Sequence, residues 1–306
     1  YAVLSNHLHI ILRSRPDIVS TWSDEEVARR WLQLFPPRFK KVAAADAADP
    51  FDVALHCITS NPERIRELRR RLSDISWWMR CAAETIARQA NREDACTGRF
   101  WEGRFKAQLL LDEASLVACA TYVDLNPVRA ALASTPETSE FTGAKDRLDD
   151  LQREWKSRSE ELPSESPCIN RETHVWEREG QQALSGWMSP VEIDERNDPI
   201  DPDPSPCLRR ASNRGFLPMS LSRYLQLLDW TGRQLTSDKR GLIPPELSPL
   251  LARLGLDVDA WCLLTARFGQ LFKRAAGTPA SLQQEASRRH QTHLQAPGSR
   301  LFARAA

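Results

Sequence analysis

Ser5-Asn6-His7-Leu8-His9-Ile10-Ile11-Leu12 sets two histidines around one leucine inside an apolar run. In a strand, residues i and i+2 project from the same face. The run therefore predicts His7 and His9 side by side, with Leu8 and Ile10 turned the other way into a core. Two imidazoles on a rigid strand make half of a divalent-metal site. A strand that merely happens to carry two histidines has the same spacing, so the pattern alone leaves both readings open.

Further along lies Leu116-Val-Ala-Cys-Ala-Thr-Tyr122-Val-Asp-Leu-Asn126-Pro127-Val128-Arg129. Leu116, Cys119, Ala120 and Val123 recur at helical spacing. Asp112 is the N-cap candidate, and Pro127 closes the segment. On that helix Tyr122 and Asn126 stand i to i+4 and share a face. A phenol and an amide oxygen one turn apart can aim at one point. A half-exposed tyrosine and a helix-ending asparagine before proline would look the same.

Taken together, the two segments hold the equipment for cutting a phosphodiester while keeping the energy of the bond. A metal polarises a non-bridging phosphate oxygen as a Lewis acid. A tyrosine attacks phosphorus and becomes a phosphotyrosine ester, dividing one hard step into two easier ones. A free phenol has a pKa of about 10, so a nearby cation helps it lose its proton near neutrality. Imidazole nitrogens with an amide oxygen suit Mg²⁺ or Mn²⁺ shared with a phosphate. A structural zinc site more often uses thiolates, and the chain has no Cys-x-x-Cys pair.

Three blocks in order resemble the HUH single-tyrosine transposases, and more closely the REP-associated tyrosine transposases of the IS200-like group. Ala2-Val-Leu-Ser-Asn-His-Leu-His-Ile-Ile-Leu12 is similar to the family's histidine strand. Gly98-Arg-Phe-Trp-Glu-Gly-Arg-Phe-Lys106 is similar to its Trp-x-Gly-Arg-(aromatic)-Lys block. Ala120-Thr-Tyr-Val-Asp-Leu-Asn-Pro-Val-Arg-Ala130 is similar to its tyrosine helix. The resemblance covers about the first 135 residues.

That resemblance implies an α+β, ferredoxin-like HUH nuclease domain. His7 and His9 would be metal ligands, with Asn126 where relatives supply a third, often Gln. Tyr122 would be the nucleophile, forming a 5′-phosphotyrosine and freeing a 3′-hydroxyl on single-stranded DNA. Reversal joins strands without ATP. The implied partner is hairpin-forming single-stranded DNA with a short guide flank, bound by a monomer or homodimer. Arg99, Trp101, Arg104, Lys106 and Arg129 are the implied DNA contacts. Family members carry a strand, a helix and most of a second strand before the histidine strand. A chain opening at Tyr1 is therefore expected to be an N-terminal truncation.

Two other readings share parts of this signature. One is a domesticated protein that binds hairpins without cutting them. The other is an HUH relaxase or replication-initiator nickase; the Tyr-x-x-x-Asn-Pro-x-Arg block favours the transposase branch.

Only Tyr1, Tyr122 and Tyr224 are available as tyrosine nucleophiles. Tyr1 is terminal, where order is expected to be poor. Tyr224 sits in an amphipathic stretch where a packing tyrosine is expected. Asp124, turned away from Tyr122, is expected on the surface. His56 beside Cys57 reads as structural, and Glu102 as an indirect helper at most.

The chain has 306 residues, enough for two domains, and a net charge of +1 that does not by itself announce nucleic acid. Seven cysteines without paired spacing suggest reduced thiols and a cytoplasmic setting. No apolar run approaches the roughly 20 residues of a membrane span. The basic residues are unevenly placed. Arginines from Arg64 to Arg92 lie on predicted helices whose stripe is Ile65, Leu68, Leu72, Ile75, Trp78, Met79 and Ala82. Core plus solvated face accounts for that run. Arg99, Arg104 and Lys106, interleaved with Phe100, Trp101 and Phe105, fit phosphate pairing and base stacking instead.

The expected organisation is an HUH domain over 1–135 with a loose insertion about 36–60, an acidic and partly disordered linker over 136–206, and a small all-α domain over 207–306. Helices are predicted over 23–35, 62–92 (one or two), 143–157, 221–235, 245–254, 257–274 and 281–290, and a strand over 104–111. The C-terminal helices could form a helix-turn-helix reader of duplex DNA or a structural bundle.

Overall fold

The computed structural model describes residues 1–37, 49–160, 187–193, 215–236, 251, 254 and 256–303. The chain is mixed and helix-rich, and it divides into two compact units. One comprises Tyr1–Ile11, Ala107–Asp194 and Arg214–Ala306; the other comprises Leu12–Lys106 with Glu195–Asn213. These units cut across the expected boundaries at 135 and 207. The Pro/Asp tract over 194–206 and most of the predicted helix over 245–254 lie outside the described residues.

The first unit is built around the tyrosine helix, α6 (Glu113–Asp124). Asp112 caps it as expected, its side chain accepting from the Ser115 amide while Ser115 answers in a capping box. Ala114, Val117, Ala118, Ala120, Thr121 and Val123 are all buried, so α6 is enclosed on several sides. Its neighbours are α9 (Leu221–Thr236) and α10 (Val258–Leu271). Tyr224, Leu227, Trp261, Leu264 and Phe268 from those helices share one core with α6. Trp261 Nε1 donates to Thr231 Oγ1 at 2.9 Å, which satisfies a buried indole between α10 and α9. The C-terminal helices thus complete the core of the tyrosine helix and do not form a separate bundle. Among the described residues this unit also contains α7 (Asn126–Arg129), α8 (Gly143–Glu160) and α11 (Pro279–Arg288).

Strands are short. β1 (Ala2–Val3) and β2 (Leu8–His9) pair antiparallel, with Ala2 opposite His9 and Val3 opposite Leu8. β3 (Leu109–Leu110) pairs parallel with β4 (Ala275–Ala276). Among the described residues these are two separate two-stranded sheets. The histidine run is therefore a hairpin, its turn closed by the Leu4 amide donating to the His7 carbonyl at 2.9 Å. It is not one strand over 2–12, and Leu8 and Ile10 are half-buried, not core. The strand expected over 104–111 is confined to Leu109–Leu110, because only there does β4 supply a partner. The Tyr1 hydroxyl donates to Asp146 Oδ2 at 2.7 Å.

The second unit contains α1 (Pro16–Thr21), α2 (Asp24–Leu34), α3 (Pro50–Thr59), α4 (Pro62–Leu72) and α5 (Ile75–Glu93). Ser23 caps α2 as expected. The insertion is not loose throughout, since 50–59 is helical. Asp49 accepts from the Phe51 amide, and Pro50 suits the first helical position. Ile18, Trp22, Val27, Trp31, Ile65 and Leu68 form the core. The apolar stripe stops there. No residue of α5 is buried, and Trp78 is 46 % exposed.

Candidate active site

Tyr122 lies near the end of α6, half-buried. The expected single helix through Asn126 is broken just after it. Leu125 has non-helical angles, and α7 restarts at Asn126. Pro127 is the cause, because it has no N–H to donate back to Val123. It opens α7 instead of closing α6. Asn126 and Arg129 therefore belong to a second short helix, and Tyr122 and Asn126 do not share one continuous face.

Four of the sequence-selected residues form a chain of ring contacts. The His7 and His9 rings meet edge-on with centroids 5.0 Å apart. His9 meets Tyr122 edge-on at 5.7 Å. The Arg129 guanidinium carbon sits 4.2 Å from the Tyr122 ring centroid, in cation–π range. His7 is exposed and its Nδ1 lies 2.6 Å from Asn6 Oδ1, which orients the ring. His9 is half-buried, and burial above all, then positive charge at His7 and Arg129, pushes its pKa down to about 4. Its imidazole is neutral near pH 7, with a lone pair free for a metal ion.

Asn126 is 7 % exposed, and its buried Nδ2 has no hydrogen-bond partner among the described residues. Nη1 of Arg129 is likewise buried without an acceptor among the described residues. Among the described residues no group of three His, Cys, Asp or Glu side chains gathers to hold a metal. The candidate donors here are two imidazoles and an amide. Imidazole nitrogens of His7 and His9, with an amide oxygen such as Asn126 Oδ1, are donor types that suit a divalent cation also taking phosphate oxygens.

Two further residues touch the phenol that the sequence does not mark. Phe268 packs on the Tyr122 ring with centroids 6.0 Å apart. Gly269 faces the Tyr122 hydroxyl. Asp124 corrects the surface expectation. It is buried and accepts a 2.6 Å hydrogen bond from the Tyr224 hydroxyl. No local signal distinguishes these residues, because their partners arrive from remote elements.

Arg99, Trp101, Arg104 and Lys106 belong to the second unit. Arg99, Arg104 and Lys106 are exposed, with no ion pair among the described residues. Phe100 and Phe105 are exposed beside them. Trp101 is half-buried and anchors the block to α5, its Nε1 donating to the Ala83 carbonyl at 2.9 Å. The arginines of α4 are engaged in structure, as the core-plus-surface reading has it. Arg69 donates to the carbonyls of Val19 and Trp22 at 2.8 and 2.7 Å and pairs with Asp24. Arg71 pairs with Glu67 and lies 4.0 Å from the Trp77 ring centroid. His56 is exposed and its ring lies near Ser60, the C-cap of its helix.

No protein-family model, no curated protein and no solved structure matches the chain. No helix among the described residues is long and apolar enough to cross a membrane.

Proposed function

We propose that the chain is a transposase-type DNA nuclease and strand transferase of the HUH single-tyrosine kind, acting on single-stranded hairpin DNA. The observation that carries this reading is the edge-on meeting of His9 and Tyr122 at 5.7 Å, with His7 beside His9. A phenol and a pair of imidazoles, remote in sequence, are gathered within one unit. Both come from one chain, which favours a site assembled in cis. The ferredoxin-like HUH domain is part of the proposal. The histidine hairpin and the tyrosine helix are the pieces that support it.

In this mechanism the Tyr122 phenol oxygen attacks phosphorus. A Tyr122 O–P bond forms as the P–O3′ bond breaks, leaving a 5′-phosphotyrosine; the phenol proton passes to solvent and the departing 3′-oxygen takes one up from solvent to become the 3′-hydroxyl. Attack by a 3′-hydroxyl reverses the step and joins strands. Arg129 and His9 hold the ring so that the oxygen meets phosphorus in line. His7, His9 and Asn126 would hold Mg²⁺ or Mn²⁺, which supplies Lewis-acid stabilisation of the phosphate charge. Arg99, Arg104 and Lys106 would pair phosphates, and the nearby aromatics would stack bases.

The test is incubation with Mn²⁺ and a pool of hairpin oligonucleotides with randomised single-stranded flanks. The expected result is a covalent protein–DNA adduct mapped by mass spectrometry to the Tyr122 peptide and absent in Tyr122→Phe. Tight hairpin binding with no adduct would instead establish the non-cleaving binder.

A further inference from the structure

Tyr122 is bounded by the last turns of α10. Phe268 is buried in the core and packs on the Tyr122 ring. Gly269 follows it. A Cβ placed on Gly269 would stand 3.1 Å from the Tyr122 hydroxyl oxygen and 3.7 Å from Cζ. That first distance is tighter than side-chain carbons ordinarily tolerate, so the phenol oxygen fills the space a side chain would need. Gly269 lies within the helix and not in the left-handed region, so backbone conformation does not demand glycine there. Glycine inside a helix carries an entropic cost relative to alanine. What this position gains in return is room for the phenol. Helix α10 is also kinked next door: Arg267 has φ −129° and ψ 22°, outside helical values. The kink falls just before the two residues that meet Tyr122.

We propose that Gly269 is a positioning residue for Tyr122: its missing side chain leaves the recess that seats the phenol oxygen, Phe268 anchors that recess, and the C-terminal helix thereby sets the aim of the nucleophile. This rests on the reading of Tyr122 as nucleophile. In-line attack tolerates little displacement of the reacting atoms. A methyl at 269 must push either the phenol or the helix aside.

Thermal unfolding of the full chain tests the contact without any need for activity. Gly269→Ala is expected to lower Tm in the Tyr122 background and to leave it unchanged or raised in the Tyr122→Phe background, where the oxygen is gone. Tyrosine labelled with ¹³C at Cζ gives three signals, one per tyrosine. Gly269→Ala is expected to move the Tyr122 signal and leave that of Tyr224 in place. With the hairpin pool and Mn²⁺, adduct formation is expected to slow by at least about tenfold while hairpin affinity is unchanged. Equal Tm losses in both backgrounds, or a Tyr122 signal that does not move, overturn the proposal. Should Gly269→Ala fail to fold, the double variant Tyr122→Phe/Gly269→Ala decides. Folding of the double variant supports the recess, and its failure shows a backbone requirement instead. A wild-type chain that forms no adduct but keeps the thermal coupling removes the nucleophile reading alone, and leaves Gly269 a packing glycine.

Discussion

The hydroxyl of Tyr224 donates a 2.6 Å hydrogen bond to the carboxylate of Asp124, and both groups are buried. Tyr224 comes from α9, and Asp124 ends the tyrosine helix, so the bond ties the base of the candidate site to a C-terminal helix. Burial, then the charge of Asp124, raises the Tyr224 phenol well above its ordinary value. Tyr224→Phe strands a buried carboxylate acceptor. It is expected to lower stability by about 1–3 kcal/mol in urea unfolding. A loss no larger than that of an exposed tyrosine would show that the pair contributes nothing.

Asp112 does two jobs. One carboxylate oxygen caps α6 through the Ser115 amide at 2.9 Å, and the other accepts from the Thr278 amide at 2.6 Å, just before α11. Asp112→Ala is expected to cost about 2 kcal/mol, from a lost cap and a second lost hydrogen bond. Burial tends to raise this carboxyl, but the amides of Thr278 and Ser115 outweigh it and hold the pKa below the ordinary value. The unfolded chain therefore takes up this proton first. The contribution is complete above the ordinary carboxylate range, near pH 4, and is lost as pH falls through the lower folded value. Denaturation midpoints followed from pH 6 to pH 2.5 should fall less steeply in Asp112→Ala than in the parent.

The imidazole pair should be separable from folding. His7 is exposed and His9 half-buried at a hairpin, so His7→Ala is expected to leave Tm near the parent value. Its Mn²⁺ affinity, read by electron paramagnetic resonance, should weaken by at least about tenfold. Unchanged Mn²⁺ binding in both His7→Ala and His9→Ala would remove the metal site.

Two sets of basic residues in the second unit should behave differently. Arg69 serves the carbonyls of Val19 and Trp22 and the carboxylate of Asp24 with one fork. A lysine cannot reach all of them, so Arg69→Lys should cost about 1–2 kcal/mol of stability. The salt dependence of hairpin binding should not change. Arg104→Ala and Lys106→Ala should leave stability alone, and each should reduce the slope of log affinity against log salt by about 1. The reverse pattern would transfer the DNA contacts to α4.

Local hydrogen-bond chemistry was legible in the sequence. Ser23 and Asp112 cap the helices they were expected to cap, since a cap joins groups only two or three residues apart. The His-x-His spacing did bring two imidazoles together, though with His7 at the turn of a hairpin and only His9 in its strand. Periodicity was a weaker guide. It marked Ile65 and Leu68, which are buried, and equally Ile75 and Trp78, which are exposed, because a stripe does not say whether a partner covers it.

Taken alone, the chain determined the caps of α2 and α6, its paired imidazoles and the scarcity of tyrosines that singles out Tyr122. Tertiary structure decided that Asp124 is buried on Tyr224, that α6, α9 and α10 share one core, and that Phe268 and Gly269 meet the phenol. The division has one physical cause. Capping is settled within a turn of backbone, whereas burial and the shape of a recess depend on which distant element arrives to exclude water.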